Sequence, residues 1–419
     1  MSIFTLGEHI LYTRTDGRGG TVVYHYYDEV TWAVLALALA WVAWLLARSY
    51  LRARRLRRPP RRRDKGLLRR VIQAKSELSL TFLQPGFSAN IHAVGVGLLG
   101  GRAGEYCIQV FVADAGAELS AGIAPEDLPD FYRGFPVVML EMDAMSFLSD
   151  AGACEPSHWD KFPGGIREPQ EVIVGGVSGA NTNLTGESGT IGYFCTRRSR
   201  LPRRREVYLL SNCHVFVDLR KCAVDDADLI VHPSPGEAAT GRPVGALVNF
   251  SAIKFDGGTG DPNHIDAALA KLWGPQKHAP LLPCVGAVEG HVAKGEVEPG
   301  EPARKFGRTT GYTAGHVLSI NLDIWISYDR TGQSAYFENQ ILIEPSPGFE
   351  RFVACGDSGS LVVDEHRHAL GLIFAGTTAA PPPRAQTAPS ADRPPRVEGC
   401  GVANPIAEVL DRLRIDLLV

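Results

Sequence analysis

None of the eight cysteines in this 419-residue chain has a second cysteine three positions away, so the sequence contains no CxxC pair. That pair is the usual signature of a structural zinc site or a redox-active dithiol, and no compact cysteine and histidine spacing replaces it. The sequence therefore indicates neither a metal centre nor thiol redox chemistry, and we expect no metal ion or other cofactor. The even number of cysteines would suit disulfides only in an oxidising compartment.

The chain also has little net charge, and its larger part has no excess of basic residues. The whole sequence carries −3 at pH 7, yet residues 48–70 hold twelve Arg or Lys residues against the single acid Asp64. Everything after residue 70 is therefore acidic on balance. An acidic body offers no electrostatic footprint for DNA or RNA, so we expect no nucleic-acid partner.

Residues 30–47 lack charged side chains altogether, and Thr31 is their only polar residue. This length is close to the roughly 20 residues that an α-helix needs to cross a bilayer, which predicts one transmembrane helix. The basic block follows the apolar run instead of preceding it, unlike in a signal peptide. The positive-inside rule then predicts a single-pass membrane protein whose C-terminal body lies in the cytoplasm. A buried helix of a soluble protein is the alternative.

The basic residues 48–63 are expected to lie on anionic lipid headgroups, because clustered Arg and Lys next to a membrane span bind them. A cytoplasmic body would also keep the cysteines reduced.

The rest of the chain changes pattern twice. Helical spacing near residues 67–80 is followed by two apolar runs around the Gly-rich turn GLLGGRAG, which together predict a small α/β module. The turn lacks the GK[ST] ending of a phosphate-binding loop and lies between strands, so nucleotide binding is not expected. Many short apolar runs separated by turn residues then predict a mainly β domain. The expected segments are a short N-terminal tail (1–29), the transmembrane helix (30–47), an Arg-rich linker (48–66), the α/β module (67–172) and the β domain (173–419).

The sharpest motif is GDSGS at residues 356–360, between two strand-like runs. A serine hydroxyl becomes a nucleophile only when a base takes its proton, and the oxyanion formed on the attacked carbonyl needs fixed hydrogen-bond donors. Glycines around Ser358 allow a tight turn in which the backbone amides of Gly356 and Ser358 converge. Taken alone, the motif could also be an ordinary Gly and Asp turn.

Two further residues complete a catalytic constellation. His214 lies where the apolar run VYLLSNC ends, and Asp266 lies in HIDAALAKL among small apolar residues. A histidine is the natural base near neutral pH, and a buried acid would orient its ring. Each residue alone has a plainer interpretation, His214 as a core residue and Asp266 as a strand cap. Their order along the chain, His, Asp and then Ser358, makes the set far more specific than its members.

The order and local sequences SNCHV, IDAALAKL and GDSGS, with the run KFGRTTGYTAGHV, resemble the trypsin-like serine peptidases. The preceding α/β module makes the chain most similar to bacterial members of that family, from about residue 66 to 419. The resemblance implies a mainly β fold, a chymotrypsin-like double β-barrel preceded by the α/β module and the transmembrane helix. It also implies an endopeptidase that acts on protein or peptide substrates.

Roles follow from the resemblance residue by residue. Ser358 would be the nucleophile, His214 the general base and then acid, and Asp266 the residue that fixes the imidazole tautomer. Gly356 and Ser358 would supply the oxyanion hole. The strand 371–376 would pair with an extended substrate backbone, through three substrate-binding residues, Phe374, Ala375 and Gly376.

The sequence departs from the family pattern in three places. Cys213 precedes the histidine, whereas secreted members have a cysteine after it, so the disulfide beside the active site is not expected. Asp357 would pair with a newly cut N-terminus in zymogen-activated members, and we expect it to have no such partner unless the chain is cleaved. Phe352 occupies about the place of the acid at the base of a trypsin-like specificity pocket, which favours apolar or small side chains in the substrate.

Two other functions remain compatible with the sequence. One is a non-catalytic module that uses the same cleft to bind peptides. The other is a gated peptidase in which the α/β module covers the cleft until a signal arrives.

Overall fold

A computed structural model describes residues 8–15, 21–27, 36, 38–42, 64–83, 90–100, 104–119, 124–148, 167–198, 206–219, 228–237, 241–255, 260–328, 333–377 and 394–419. The chain divides into two compact units, Met1–Arg57 and Arg58–Val419. Among the described residues, the α-helices of the second unit are α1 (Lys65–Phe82), α2 (Cys213–Phe216) and α3 (Ile406–Leu413), and Pro125–Asp127 form a 3-10 turn.

The strands are numerous, and most of them are short, as expected for a chain rich in glycine and proline. The first fourteen are β1 (Glu8–Thr15), β2 (Thr21–Tyr27), β3 (Ile91–Leu99), β4 (Glu105–Val112), β5 (Phe131–Tyr132), β6 (Phe135–Met142), β7 (Met145–Phe147), β8 (Val172–Val174), β9 (Val177–Ser178), β10 (Ala180–Asn181), β11 (Thr190–Ile191), β12 (Tyr193–Arg197), β13 (Tyr208–Ser211) and β14 (Leu229–His232). The others are β15 (Arg242–Phe250), β16 (Ala268–Leu272), β17 (Lys277–Ala279), β18 (Leu281–Leu282), β19 (Gly286–Ala287), β20 (Gly290–His291), β21 (Pro302–Gly307), β22 (Gly311–Tyr328), β23 (Gln333–Pro345), β24 (Leu361–Val363), β25 (His368–Thr377), β26 (Arg396–Val397), β27 (Gly401–Pro405) and β28 (Ile415–Leu417). The prediction of a mainly β chain is confirmed.

In the first unit, β1 and β2 form an antiparallel hairpin in which Thr15 pairs with Thr21. Residues 38–42 are helical, and the side chains of Leu39 and Trp41 are exposed. Most of the predicted membrane helix, residues 30–47, lies outside the described residues. Within the described ones, none of the helices reaches the length and apolar character of a membrane span.

The second unit begins with α1, which the sequence predicts from its spacing. The Asp64 carboxylate accepts hydrogen bonds from the amides of Gly66 and Leu67, which fixes the start of the helix. Apolar residues at helical spacing, including Val71 and Leu78, are buried against β3 and β4.

Two large sheets organise this unit among the described residues. Seven strands form one sheet in the order β10-β14-β15-β16-β13-β12-β28, which we call the first sheet. The second sheet runs β21-β24-β25-β27-β23-β22-β3-β4-β6-β26, with β5, β7 and β20 paired at its sides. Because β3 pairs with the long strand β22, the strands of the predicted α/β module continue the sheet that carries the serine.

A buried ion pair joins α1 to β22. The Lys75 ammonium lies 2.6 Å from a carboxylate oxygen of Asp323, and both side chains are almost fully buried. Burial lowers the pKa of Lys75, and the Asp323 carboxylate opposes that effect. The two sheets share an apolar core that includes Leu209 of the first sheet with Phe337 and Phe374 of the second. His214 and Asp266 adjoin strands β13 and β16 of the first sheet, and Ser358 precedes β24 of the second.

Candidate active site

The register of two antiparallel strands brings His214 and Asp266 together. Ser211, the last residue of β13, pairs with Ala268, the first residue of β16. The residues that extend this register are Cys213 and Asp266, and the amide of Cys213 donates a 2.6 Å hydrogen bond to the Asp266 carboxylate. The chain turns into the short helix α2 at this point, which carries His214. Two distant segments thus deliver an imidazole and a carboxylate to one place.

Asp266 is completely buried, and its carboxylate is fully engaged. One oxygen accepts the amides of Cys213 and His214. The other lies 2.5 Å from the Nδ1 of His214 and accepts the hydroxyl of Tyr328 at 3.0 Å. An acceptor at Nδ1 favours the tautomer with its proton there, which leaves Nε2 available as a base. Burial raises the pKa of Tyr328 well above its ordinary value, and the Asp266 charge adds to the effect, so Tyr328 stays a donor.

His214 Nε2 is buried and has no hydrogen-bond partner among the described residues. The ring itself is 1% exposed. Phe147 meets it edge-on, with ring centroids 5.1 Å apart. A buried imidazole held by a carboxylate at one nitrogen and unbonded at the other is arranged to accept a proton.

Ser358 lies on a tight turn between Ala354 and β24. Gly356 and Gly359 adopt φ values of 91° and 96°, a conformation that L side chains rarely adopt. A Cβ atom on Gly359 would lie 2.1 Å from the carbonyl oxygen of Thr190, so glycine alone lets the turn approach β11 this closely. The glycines of GDSGS are therefore required by geometry.

Thr190 holds the serine turn and was missed by the sequence analysis. Its amide donates to the carbonyl of Ser358 at 2.9 Å, and its hydroxyl donates to the carbonyl of Gly356 at 2.8 Å. Ser211 in turn donates to the Thr190 carbonyl. No motif marks Thr190, which lies in an unremarkable apolar run, so only the three-dimensional pairing reveals it.

The Ser358 hydroxyl donates to the carbonyl of Phe374 at 3.2 Å. Because His214 Nε2 has no partner within the part of the chain that the structure describes, the serine and the histidine do not share a hydrogen bond in this arrangement. Rotation of the hydroxyl about the Cα–Cβ bond would be needed before proton transfer. The predicted substrate-binding residue Phe374 thus contacts the predicted nucleophile directly.

Asp357 has a buried cationic partner that the sequence analysis did not identify. The ammonium of Lys305 lies 3.2 Å from the Asp357 carboxylate, and both side chains are fully buried. The carboxylate also accepts the amides of Thr309 and Ala354. The sequence analysis considered only a new N-terminus as a partner for Asp357, and it did not anticipate that β21 brings Lys305, distant in sequence, to this carboxylate. Burial lowers the pKa of Lys305, and the Asp357 charge opposes that shift.

Phe352 is fully buried, and its ring lies 5.8 Å from the Lys305 ammonium. The hydroxyl of Thr313 donates to the Phe352 carbonyl. Phe352, Val353 and Leu148 belong to one apolar cluster.

The predicted substrate strand is paired with a segment of the chain itself. Strand β7 runs antiparallel to β25, with Phe147 opposite Ala375 and Ser146 opposite Gly376. Immediately after β7, the carbonyl of Leu148 accepts a 2.9 Å hydrogen bond from the amide of Gly356. This amide is one of the two predicted oxyanion donors. The sequence analysis did not anticipate β7, since three residues are too few to show a strand pattern.

Six cysteines are described, and none of them forms a disulfide. Over the same described residues, no group of three or more His, Cys, Asp or Glu side chains is arranged to hold a metal ion.

No family model matches the sequence, and no curated protein matches it. Solved structures do match. A glutamic-acid-specific serine protease with a histidine triad in substrate binding is 14% identical, covers 59% of this chain and 100% of its own, and gives a TM-score of 0.39. Thermobifida fusca protease A is 16% identical over 59% of this chain and 99% of its own, with a TM-score of 0.37. Cellulomonas bogoriensis chymotrypsin is 15% identical over 59% and 98%, with a TM-score of 0.36. The chain is thus similar in structure to bacterial chymotrypsin-like serine proteases.

Proposed function

We propose that the chain is a serine endopeptidase of the chymotrypsin-like double-barrel class that hydrolyses peptide bonds through an acyl-enzyme intermediate. One observation supports the proposal: the buried pair of His214 and Asp266, in which Nδ1 lies 2.5 Å from the carboxylate and Nε2 has no hydrogen bond to any described residue. An imidazole in this state is the general base that a serine nucleophile requires.

The parts of the reaction fall on separate residues. Ser358 attacks the substrate carbonyl while His214 takes its proton, and Asp266 stabilises the imidazolium that forms. The amide of Gly356 donates a hydrogen bond to the oxyanion. The same amide already donates to the backbone carbonyl of Leu148. His214 then protonates the leaving amine, and water releases the acyl group from Ser358. Strand β25 holds the substrate backbone by strand addition.

A fluorophosphonate probe tests the proposal. We expect a single adduct on Ser358 in the full-length chain and in a Leu148→Asp variant, whose buried carboxylate would expel the segment now paired with β25. Intact-mass measurement should show the adduct, and Ser358→Ala and His214→Ala should abolish it. Folded chains that stay unlabelled both with and without Leu148→Asp would contradict the proposal.

A second candidate is a gated peptide-binding module, favoured by the occupation of the cleft by Met145–Phe147. In this function the cleft would bind a peptide such as acetyl-Met-Ser-Phe-Leu without cleaving it. The Leu148→Asp chain should then bind the peptide and leave a longer peptide containing this sequence intact, while Ser358→Ala would change no cellular effect.

We further propose that residues 30–47 anchor the protein in a membrane with the peptidase in the cytoplasm, and that residues 48–63 contact anionic lipid. Support comes from the uncharged run and the basic block that follows it. We expect the full chain to remain with membranes after alkaline carbonate extraction, whereas a chain with two Leu→Arg changes at Leu37 and Leu39 should be released. Release of the wild-type chain would contradict anchoring.

A further inference from the structure

The segment Met145–Leu148 lies in the cleft as a peptide substrate would. It adds a strand to β25, with Met145 opposite Thr377 and Phe147 opposite Ala375. Strand addition of this kind is how an extended peptide binds to a sheet edge. The pairing ends where the segment reaches the serine turn, which is the end at which a substrate would react.

The backbone of Leu148 is placed for reaction. Its carbonyl oxygen accepts the amide of Gly356 at 2.9 Å. An oxyanion hole is defined by donors that lie at hydrogen-bond distance from the oxygen of the attacked carbonyl. The hydroxyl of Ser358 donates a hydrogen bond to the carbonyl of Phe374. Phe374 directly precedes Ala375, the partner of Phe147, so Ser358 lies beside the strand pair that positions Leu148.

The side chain of Leu148 fills an apolar pocket. It is fully buried, in the same cluster as Phe352 and Val353. A Cβ atom added to Gly376 would lie 3.3 Å from the Leu148 side chain and 2.5 Å from that of Val353, so glycine leaves room for both. The pocket therefore suits a branched aliphatic side chain.

Phe147 completes the likeness to a bound substrate. Its ring stacks on Tyr328, with centroids 5.1 Å apart and an interplanar angle of 13°. The same ring meets His214 edge-on, so the residue before Leu148 covers the predicted base. Aromatic contacts of this kind contribute about 0.5–1.5 kcal/mol beyond the area that they bury.

From these contacts we propose that the peptidase cleaves its own chain after Leu148. The proposal rests on the proposed function and names its substrate class: extended peptides with leucine before the scissile bond and an aromatic residue before the leucine. The chain's own segment is the first such substrate, held at very high effective concentration.

The reaction balances with water as its only co-reactant. The Ser358 oxygen bonds to the carbonyl carbon of Leu148, and the bond from that carbon to the nitrogen of residue 149 breaks. The serine proton passes through His214 to this nitrogen, which leaves as an amine. Water then hydrolyses the ester, which restores the serine and leaves a carboxylate at Leu148. The fragments 1–148 and 149–419 remain associated, because β3 of the first pairs with β22 of the second.

The test uses the full-length chain and its intact mass under denaturing conditions. We expect two fragments, one ending at Leu148 and one beginning at Ser149, while Ser358→Ala stays whole. Leu148→Asp should slow cleavage at least about 100-fold, because it would bury an unpaired carboxylate in the apolar pocket. Leu148→Met, which keeps the volume and the apolar character, should still be cut. Leu99→Asp is the matched control, since Leu99 is 47% exposed and should not affect the rate.

Cleavage within one chain also predicts that a Ser358→Ala chain mixed with wild type remains whole. Fluorophosphonate labelling separates the two proposals. A wild-type chain that stays whole while its Leu148→Asp variant is labelled at Ser358 would overturn self-cleavage and keep the peptidase. A chain that is neither cut nor labelled would overturn both. A cut at another bond, or cutting of the Ser358→Ala chain by wild type, would overturn the assignment to Leu148 in the same chain.

Discussion

An Asp266→Asn variant is expected to hydrolyse a peptide about 10⁴-fold more slowly at saturation than the parent chain, the loss typical of this change in serine peptidases. Each carboxylate oxygen of Asp266 faces two donors, the amides of Cys213 and His214 on one side and His214 Nδ1 with the Tyr328 hydroxyl on the other. An asparagine must turn its own NH₂ toward one of these pairs. If it faces Nδ1, the ring proton moves to Nε2, and His214 can no longer accept the serine proton.

The rate should be measured with a fluorogenic peptide that ends in Phe-Leu before the scissile bond, in chains that also carry Leu148→Asp so that the cleft is open. Tyr328→Phe is the matched control. It removes one donor to the same carboxylate oxygen but leaves the carboxylate and the tautomer, so its loss of kcat should be far smaller, on the order of 10-fold. An Asp266→Asn chain that keeps kcat within about tenfold of its parent would show that His214 does not act through Asp266.

The three candidate catalytic residues could be named from the sequence because each lies beside a strand with a readable pattern. Ser358 stands in a glycine turn, and His214 and Asp266 each adjoin an apolar run. Strand ends that face one cleft gather side chains from distant parts of a chain. Local sequence patterns were enough to name the three positions. That the three lie close together was expected only from the resemblance to the trypsin-like peptidases.

The supporting residues could not be predicted, since their importance depends on pairings between segments far apart in sequence. Thr190 acts through its contact with the serine turn, and Tyr328 is the last residue of a strand whose partners no pattern specifies. Lys305 has the sequence context of an ordinary strand residue, and only the fold shows that it pairs with Asp357. Strand register is fixed by tertiary packing, which a single sequence does not display.

The occupant of the cleft was hidden for a different reason. The sequence left open that the α/β module covers the cleft, but β7 has only three residues, and its apolar character is equally that of a core segment. One contact indicates that this segment resembles a bound substrate: the Gly356 amide donates a hydrogen bond to the carbonyl of Leu148, the residue after β7. A hydrogen bond between two main-chain groups places almost no requirement on the side chains, so the sequence does not reveal it.

Lys305→Met is expected to lower the free energy of unfolding by about 3–5 kcal/mol, the cost of leaving one partner of a buried ion pair without the other. Both side chains are fully buried, so water cannot replace the lost charge. Denaturant unfolding of the second unit in the intact chain measures the effect. Lys277→Met is the matched control: Lys277 pairs with Glu171 at an exposed position, and the change should leave the free energy of unfolding almost unchanged.

A double variant distinguishes a true ion pair from two independent buried side chains. Asp357→Asn alone leaves the Lys305 ammonium buried with neutral acceptors, such as the Thr310 hydroxyl and the Gly311 carbonyl, and without a compensating negative charge, so it should also be strongly destabilising. With Lys305→Met and Asp357→Asn together, neither charge remains, and the total loss should fall short of the sum of the two single losses by about 1 kcal/mol or more. Strict additivity would contradict the pairing. Activity should not recover with stability, because Asp357 fixes the backbone between the Gly356 amide and Ser358, where a displacement of about 1 Å costs on the order of 100-fold in rate.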